Sequence, residues 1–172
     1  MKRVELLAPA GSYDAFISAI NNGANAIYLA GKNFNARNFV KNFSITEIKE
    51  MIKYAHLRDV SIYVTVNTLI KDSEINEVLN FVCELYKSGV DAILVQDLGL
   101  IDILHKAIPN LVLHASTQMN CTCLEDAIKL KNLGIKRKPP YYQVMIDGGY
   151  FVFEAHQEHY SLRRLFCCSF HQ

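Results

Sequence analysis

Apolar runs of five to eight residues alternate along the chain with longer stretches whose apolar positions recur every three or four residues. Buried strands followed by one-faced helices leave this pattern. Val4 to Ala10 is the first run; Pro9 and Gly11 close it, and Ser12 stands where it can cap a helix from Tyr13 to Asn22, stopped by Gly23. Ala24 to Ala30 is the second run, and a polar loop from Lys32 to Phe43 follows it. Ser44 and Glu47 form an S-x-x-E capping box ahead of Ile45, Ile48, Met51, Ile52 and Ala55, which predicts a helix to about His56. Ser61 to Leu69 is rich in β-branched residues and predicts a strand with Asn67 and Thr68 at its tip. Ser73, three residues before Asn76, opens a helix through Val78, Leu79, Val82, Leu85 and Tyr86 that Gly89 closes. Val90 to Asp97 is the fourth strand, Leu98 to Ala107 a short helix, Leu111 to Asn120 the fifth strand, and Leu124 to Leu133 a helix stopped by Gly134.

One local pattern recurs. Gly23-Ala-Asn-Ala-Ile-Tyr-Leu29 is echoed by Gly89-Val-Asp-Ala-Ile-Leu-Val95, and Gly134-Ile135 begins a third copy. Each copy is a helix stop feeding a buried strand, so parallel strands covered by helices are expected. An open doubly wound sheet and a barrel of β/α units both satisfy this. Regular unit length and a polar tip on nearly every strand favour the α/β, TIM-barrel-like repeat, as an incomplete barrel of about five β/α units. Pro9-Ala-Gly-Ser12 stands where a dinucleotide-binding fold would carry Gly-x-Gly-x-x-Gly after its first strand.

The rhythm stops after Arg137. Lys138-Pro139-Pro140 occupies the place of a sixth strand, and proline cannot donate to a central ladder. The expected organisation is therefore a partial barrel domain over residues 1–137 and an atypical tail over 138–172, foreign to the fold as a truncation or frameshift would leave it. A hairpin is expected within the tail, Gln143 to Ile146 and Tyr150 to Phe153 around Asp147-Gly148-Gly149. An open sheet exposes ladder groups at its edge, so self-association through that edge is expected.

Composition and charge narrow the classes. Of 172 residues 51% are apolar and 20% charged, and 18 basic residues balance 17 acidic ones. That is a globular chain without the electrostatic footprint of a dedicated nucleic-acid binder. No apolar run has the length of a membrane span or the form of a signal peptide, and no membrane partner is expected. The five cysteines, Cys83, Cys121, Cys123, Cys167 and Cys168, contain no C-x-x-C pair. Neither a disulfide framework nor a zinc site is indicated, and a reducing cytoplasmic setting is expected.

Barrel enzymes carry their chemistry at the carboxyl ends of strands. Asp97, His114 and Ser116 are the candidate catalytic residues; Arg37, Asn67, Gln96 and Gln118 are candidates for substrate binding, with Lys32 beside them. By the two-residue period, His114, Ser116 and Gln118 would share one face of the fifth strand. Positions i and i+2 lie roughly 6 to 7 Å apart, longer than a nucleophile–base hydrogen bond, so a hydrogen-bonded or ligand-positioning wall suits them better than a Ser-His pair. Asp97 could act as a general base or cap the helix that starts at Leu98. Arg37 could grip a carboxylate or phosphate by its fork, or be a solvated loop residue. Glu154, His156, Glu158 and His159 lack the H-E-x-x-H order and suit a solvated polar run, and no metal ligands are expected.

Six strings, Glu5-Leu-Leu-Ala-Pro-Ala-Gly11, Gly23 to Leu29, Phe34-Asn-Ala-Arg37, Tyr63 to Leu69, Val95-Gln-Asp-Leu-Gly99 and His114-Ala-Ser-Thr-Gln-Met119, resemble in order the amino-terminal half of the collagenase-like peptidase family, peptidase family U thirty-two. The resemblance covers Val4 to about Arg137. It implies a TIM-barrel-like domain and a peptidase acting on peptides as the main reading. As alternatives it implies an iron-sulfur-dependent hydroxylation domain acting on tRNA or ribosomal RNA, or a non-catalytic barrel fragment. Full-length hydroxylation relatives carry their cluster on four cysteines; the family's cysteine signature is not in this sequence, so no cofactor is expected in this chain.

Overall fold

The computed structural model describes residues 5–36, 42–121 and 124–136, with the backbone of 144–146 and 149–151. Its elements are β1 (Leu7–Pro9), α1 (Tyr13–Asn21), β2 (Ala26–Ala30), α2 (Ile45–His56), β3 (Ser61–Val66), α3 (Ile75–Lys87), β4 (Ala92–Val95), α4 (Leu98–Ala107), β5 (Leu113–Ala115) and α5 (Leu124–Asn132). Short 3-10 turns at Asp72–Glu74 and Thr117–Met119 precede α3 and follow β5. The expected hairpin is present as β6 (Val144–Ile146) paired antiparallel with β7 (Gly149–Phe151). Arg37, Cys123, the Lys138-Pro-Pro140 string and residues 152–172, with Glu154, His156, Glu158, His159, Cys167 and Cys168, lie outside the described residues.

All four pairings from β1 to β5 are parallel and join consecutive strands, giving the order β1-β2-β3-β4-β5. A doubly wound sheet would reverse direction at a switch point; this sheet never does. With right-handed crossovers, winding in one direction puts every helix on one face. The core agrees. Ile27, Leu29, Ile62, Val64, Val66, Ile93, Val95 and Leu113 pack with Phe16 of α1, Ile48 and Met51 of α2, Val78 and Val82 of α3, and Ile101 and Leu104 of α4. Each such side chain removed from water contributes roughly 1.5 to 3 kcal/mol. The opposite face carries a smaller cluster of Leu7, Ala26, Tyr63 and Ala92, the alternate positions of the same strands. The fold is thus an α/β, singly wound arc of five parallel strands, an incomplete barrel with β1 and β5 at its two edges.

One closing device repeats at four helix ends. Gly23, Asp59, Gly89 and Gly134 all have positive φ (84°, 55°, 86° and 79°), and the residue after each donates its N–H to a carbonyl five positions back. These are the bonds of a Schellman closure. The next residue bonds back to the preceding strand segment: Asn25 N–H bonds Leu6 O at 2.9 Å, Asp91 N–H bonds Ile62 O at 3.1 Å, and Lys136 N–H bonds Leu113 O at 2.9 Å. In the first two copies the side chain reaches back as well, Asn25 Oδ1 accepting from Leu6 N at 2.9 Å and Asp91 Oδ2 from Ile62 N at 2.7 Å. The motif is therefore a strand-pairing clamp, and its third copy ties Lys136 to the edge strand β5.

Two expectations are corrected. Ser73 does not cap α3; it lies inside the 3-10 turn, where Glu74 Oε2 accepts the Lys71 N–H at 2.9 Å. Strand five ends at Ala115 rather than Asn120, because Ser116 caps a 3-10 turn and Asn120 closes it with φ of 49°.

Candidate functional site

Strands β3, β4 and β5 deliver Asn67, Gln96 and Ser116 to one end of the arc, the carboxyl end, where singly wound barrels place their chemistry. Asn67 and Ser116 meet: Asn67 Nδ2 donates to Ser116 Oγ at 3.3 Å. Asn67 Oδ1 accepts the Ala36 N–H at 3.2 Å, so one amide joins the loop after β2 to the end of β5. Ser116 is buried, and its Oγ also accepts the Gln118 N–H at 3.2 Å. Gln96 is half-buried beside them, its side chain without a hydrogen-bond partner among the described residues.

His114 lies one step down the same face, paired in register with Leu94. It is 8% exposed, and its ring stands edge-on to Tyr63 with centroids 4.8 Å apart. Tyr63 Oη in turn donates to Glu5 Oε1 at 3.1 Å, on the path to the opposite end of the sheet. The Ser116 hydroxyl has Asn67 and Gln118 as partners rather than His114, so the structure does not assemble a Ser-His pair.

Asp97 caps α4 with Oδ1 accepting from Leu100 N at 2.9 Å, while Oδ2 accepts from Ile70 N at 3.1 Å. Both oxygens hold backbone, which serves a joint between the β3–α3 loop and α4. Gln118 departs from expectation: it sits on the 3-10 turn, is exposed, and does not share the strand face with His114 and Ser116. Lys32 is exposed at the start of its loop. Sequence reasoning missed the backbone partners of this site, Ala36 and Ile70, because each bond spans about thirty residues and leaves no local pattern. It also missed Tyr63, which reads as a core aromatic in a β-branched run.

An iron-sulfur cluster, which the family resemblance implies for full-length relatives, was tested against the donors present. Among the described residues no group of three or more His, Cys, Asp or Glu could hold a metal ion. Cys83 and Cys121 are half-buried and pack against the helix-side core. These residues do not fit the group, and no step is assigned through one. No described helix is long and apolar enough to cross a membrane.

Fold and site together define an α/β chain of the TIM-barrel type with a polar mouth at the strand ends. It belongs to peptidase family U32, whose profile matches residues 11–138. The chain is 39% identical over 132 residues to the 23S rRNA 5-hydroxycytidine C2501 synthase of Escherichia coli, covering 77% of this chain and 20% of that protein. It is 34% identical over 138 residues to the tRNA hydroxylation protein P of Helicobacter pylori, covering 80% and 33%. A collagenase of Porphyromonas gingivalis is 29% identical over 123 residues, covering 70% and 29%. The chain thus spans between a fifth and a third of the length of these relatives. The solved structure of the U32 peptidase Mk0906 superposes with a TM-score of 0.65 at 14% identity, covering 80% of this chain and 58% of that one, which shows the shared fold.

Proposed function

We propose that this chain is the amino-terminal β/α portion of an RNA-hydroxylation protein, with tRNA or ribosomal RNA as its substrate and the cytoplasm as its setting. The observation that carries this reading is the 39% identity to a relative named as a 23S rRNA hydroxycytidine synthase, joined by tRNA hydroxylation proteins at 34% and 32%; an uncharacterized protease of Methanocaldococcus jannaschii is 36% identical and the collagenase 29%. The chemistry of the mouth is compatible. Asn67, Gln96 and Ser116 offer amide and hydroxyl groups of the kind that hydrogen-bond the edges of an unstacked base. A serine hydrolase would need the Ser116 hydroxyl on a general base, and it is held by two N–H donors instead. The peptidase reading that the family name suggests therefore has the weaker support.

Expression in a bacterium stripped of its own RNA-hydroxylation genes tests the proposal, with tRNA and rRNA digested to nucleosides and measured by mass spectrometry. A hydroxylated nucleoside that returns with the chain, or RNA binding by the purified chain that gelatin does not compete, supports it. A purified chain that binds no RNA and degrades gelatin overturns it.

A further inference from the structure

Asn67, Gln96 and Ser116 each follow the last residue of a strand, β3, β4 and β5 in turn. Those last residues, Val66, Val95 and Ala115, pair in register and belong to the helix-side core. The two-residue period therefore sets the three polar residues in one row on the opposite face. The outer two are engaged. Asn67 holds Ser116 Oγ by its Nδ2 and the Ala36 N–H by its Oδ1, which fixes the amide one way round, and Ser116 Oγ also accepts from Gln118 N. The middle one differs: Gln96 is half-buried, and neither end of its amide has a partner among the described residues. An amide left idle in such a place costs free energy that a ligand with matching groups recovers.

The surroundings select the ligand. Lys71 is outnumbered by Asp72, Glu74 and Glu77 where the loop after β3 enters α3, so this side of the mouth disfavours a phosphate. The Ile70–Asp97 hydrogen bond joins the segments that carry Leu69 and Leu98, 72% and 57% exposed, and this apolar surface suits the flat face of an unstacked base. We infer that Gln96 is the specificity-determining residue of the mouth: its amide reads the Watson–Crick edge of the base, and, being held in neither orientation, it serves both pyrimidines. Turned one way it accepts from the N4 amine of cytosine and donates to N3; turned over it donates to O4 of uracil and accepts from the N3–H. Asn67 and Ser116 are then positioning residues that hold the row on either side of it. The inference rests on the RNA reading above.

Fluorescence anisotropy tests it, with fluorescein-labelled RNA hairpins that carry one bulged cytosine, one bulged uracil or an abasic nucleotide at that place; circular dichroism monitors the fold. The parent chain is expected to bind the two pyrimidine hairpins within a few-fold of one another and each about tenfold tighter than the abasic one. Gln96→Met and Gln96→Ala are expected to lose about tenfold on both pyrimidine hairpins and nothing on the abasic hairpin, a pattern that a merely structural glutamine would not produce. Equal loss on all three hairpins, no loss on any, or a parent chain that ignores the missing base overturns the readout and leaves the RNA reading standing. A parent chain that takes one pyrimidine tenfold better than the other overturns the two-way amide. A folded parent chain that binds no hairpin overturns both the inference and the RNA reading.

Discussion

Asp97 Oδ2 accepts the backbone N–H of Ile70 at 3.1 Å while its other oxygen caps α4, so one carboxylate joins two loops at the mouth of the barrel. Asp97→Ala removes both acceptors and leaves the half-buried Ile70 N–H without its partner. A loss of about 1 to 3 kcal/mol is expected from the cap and the orphaned donor together. Urea unfolding with an unchanged m-value checks it; a variant of parental stability would show that water replaces both bonds at no cost.

Asp59 does at one helix end what glycine does at three others. Its φ of 55° is tolerated by a short polar side chain but is free only for glycine. Asp59→Gly is therefore expected to stabilise the chain by about 0.5 to 1 kcal/mol and raise the melting temperature by a few degrees. Gly134→Ala is expected to act in the opposite sense, by more than about 1 kcal/mol. A Cβ there meets positive φ and would stand 2.7 Å from His105 Nε2, itself a buried nitrogen with no hydrogen-bond partner among the described residues.

Acid should weaken the start of α2. Hydrogen bonds from the Ser44 hydroxyl and N–H hold the Glu47 carboxyl below its ordinary pKa. A carboxyl lowered in the folded state stabilises the fold above its unfolded pKa, and that contribution is lost as pH falls through the lowered folded value. Ser44→Ala is expected to cost about 1 kcal/mol at neutral pH through the lost cap and to flatten the acid limb of stability. Glu84, lowered by Lys49 at 2.5 Å, adds a dependence of the same sign that salt should screen. Melting curves across the acid range at two salt concentrations separate the two.

Strands β1 and β5 end the parallel sheet, and self-association through a sheet edge is the expectation to test. Sedimentation velocity over a rising concentration series should show growth beyond the monomer. A single monomeric boundary throughout would remove the expectation.

The helices of this fold were legible because their punctuation is local. Ser44 with Glu47 marks α2, and Asp97 stands as the cap ahead of α4 at Leu98. Parallel order followed from the repeat of Gly23 and Gly89. Strand five was overrun because Ser116 and Thr117 read as extended residues while a side-chain cap turns the chain there. Ser73 carried the local signature of a cap, and Glu74 supplied a competing turn one residue later. Of the site, its position at the strand tips was visible in Asn67, Gln96 and Ser116. Its wiring was not, since Asn67 meets Ser116 across 49 residues.

The sequential strand order bears on how the chain is made. Each strand pairs with a neighbour only about 20 to 35 residues earlier. Loop closure over such short spans costs little entropy, and no strand must wait for a distant partner. Each β/α unit can therefore dock on the one before it as it leaves the ribosome, and the arc can grow in the direction of synthesis.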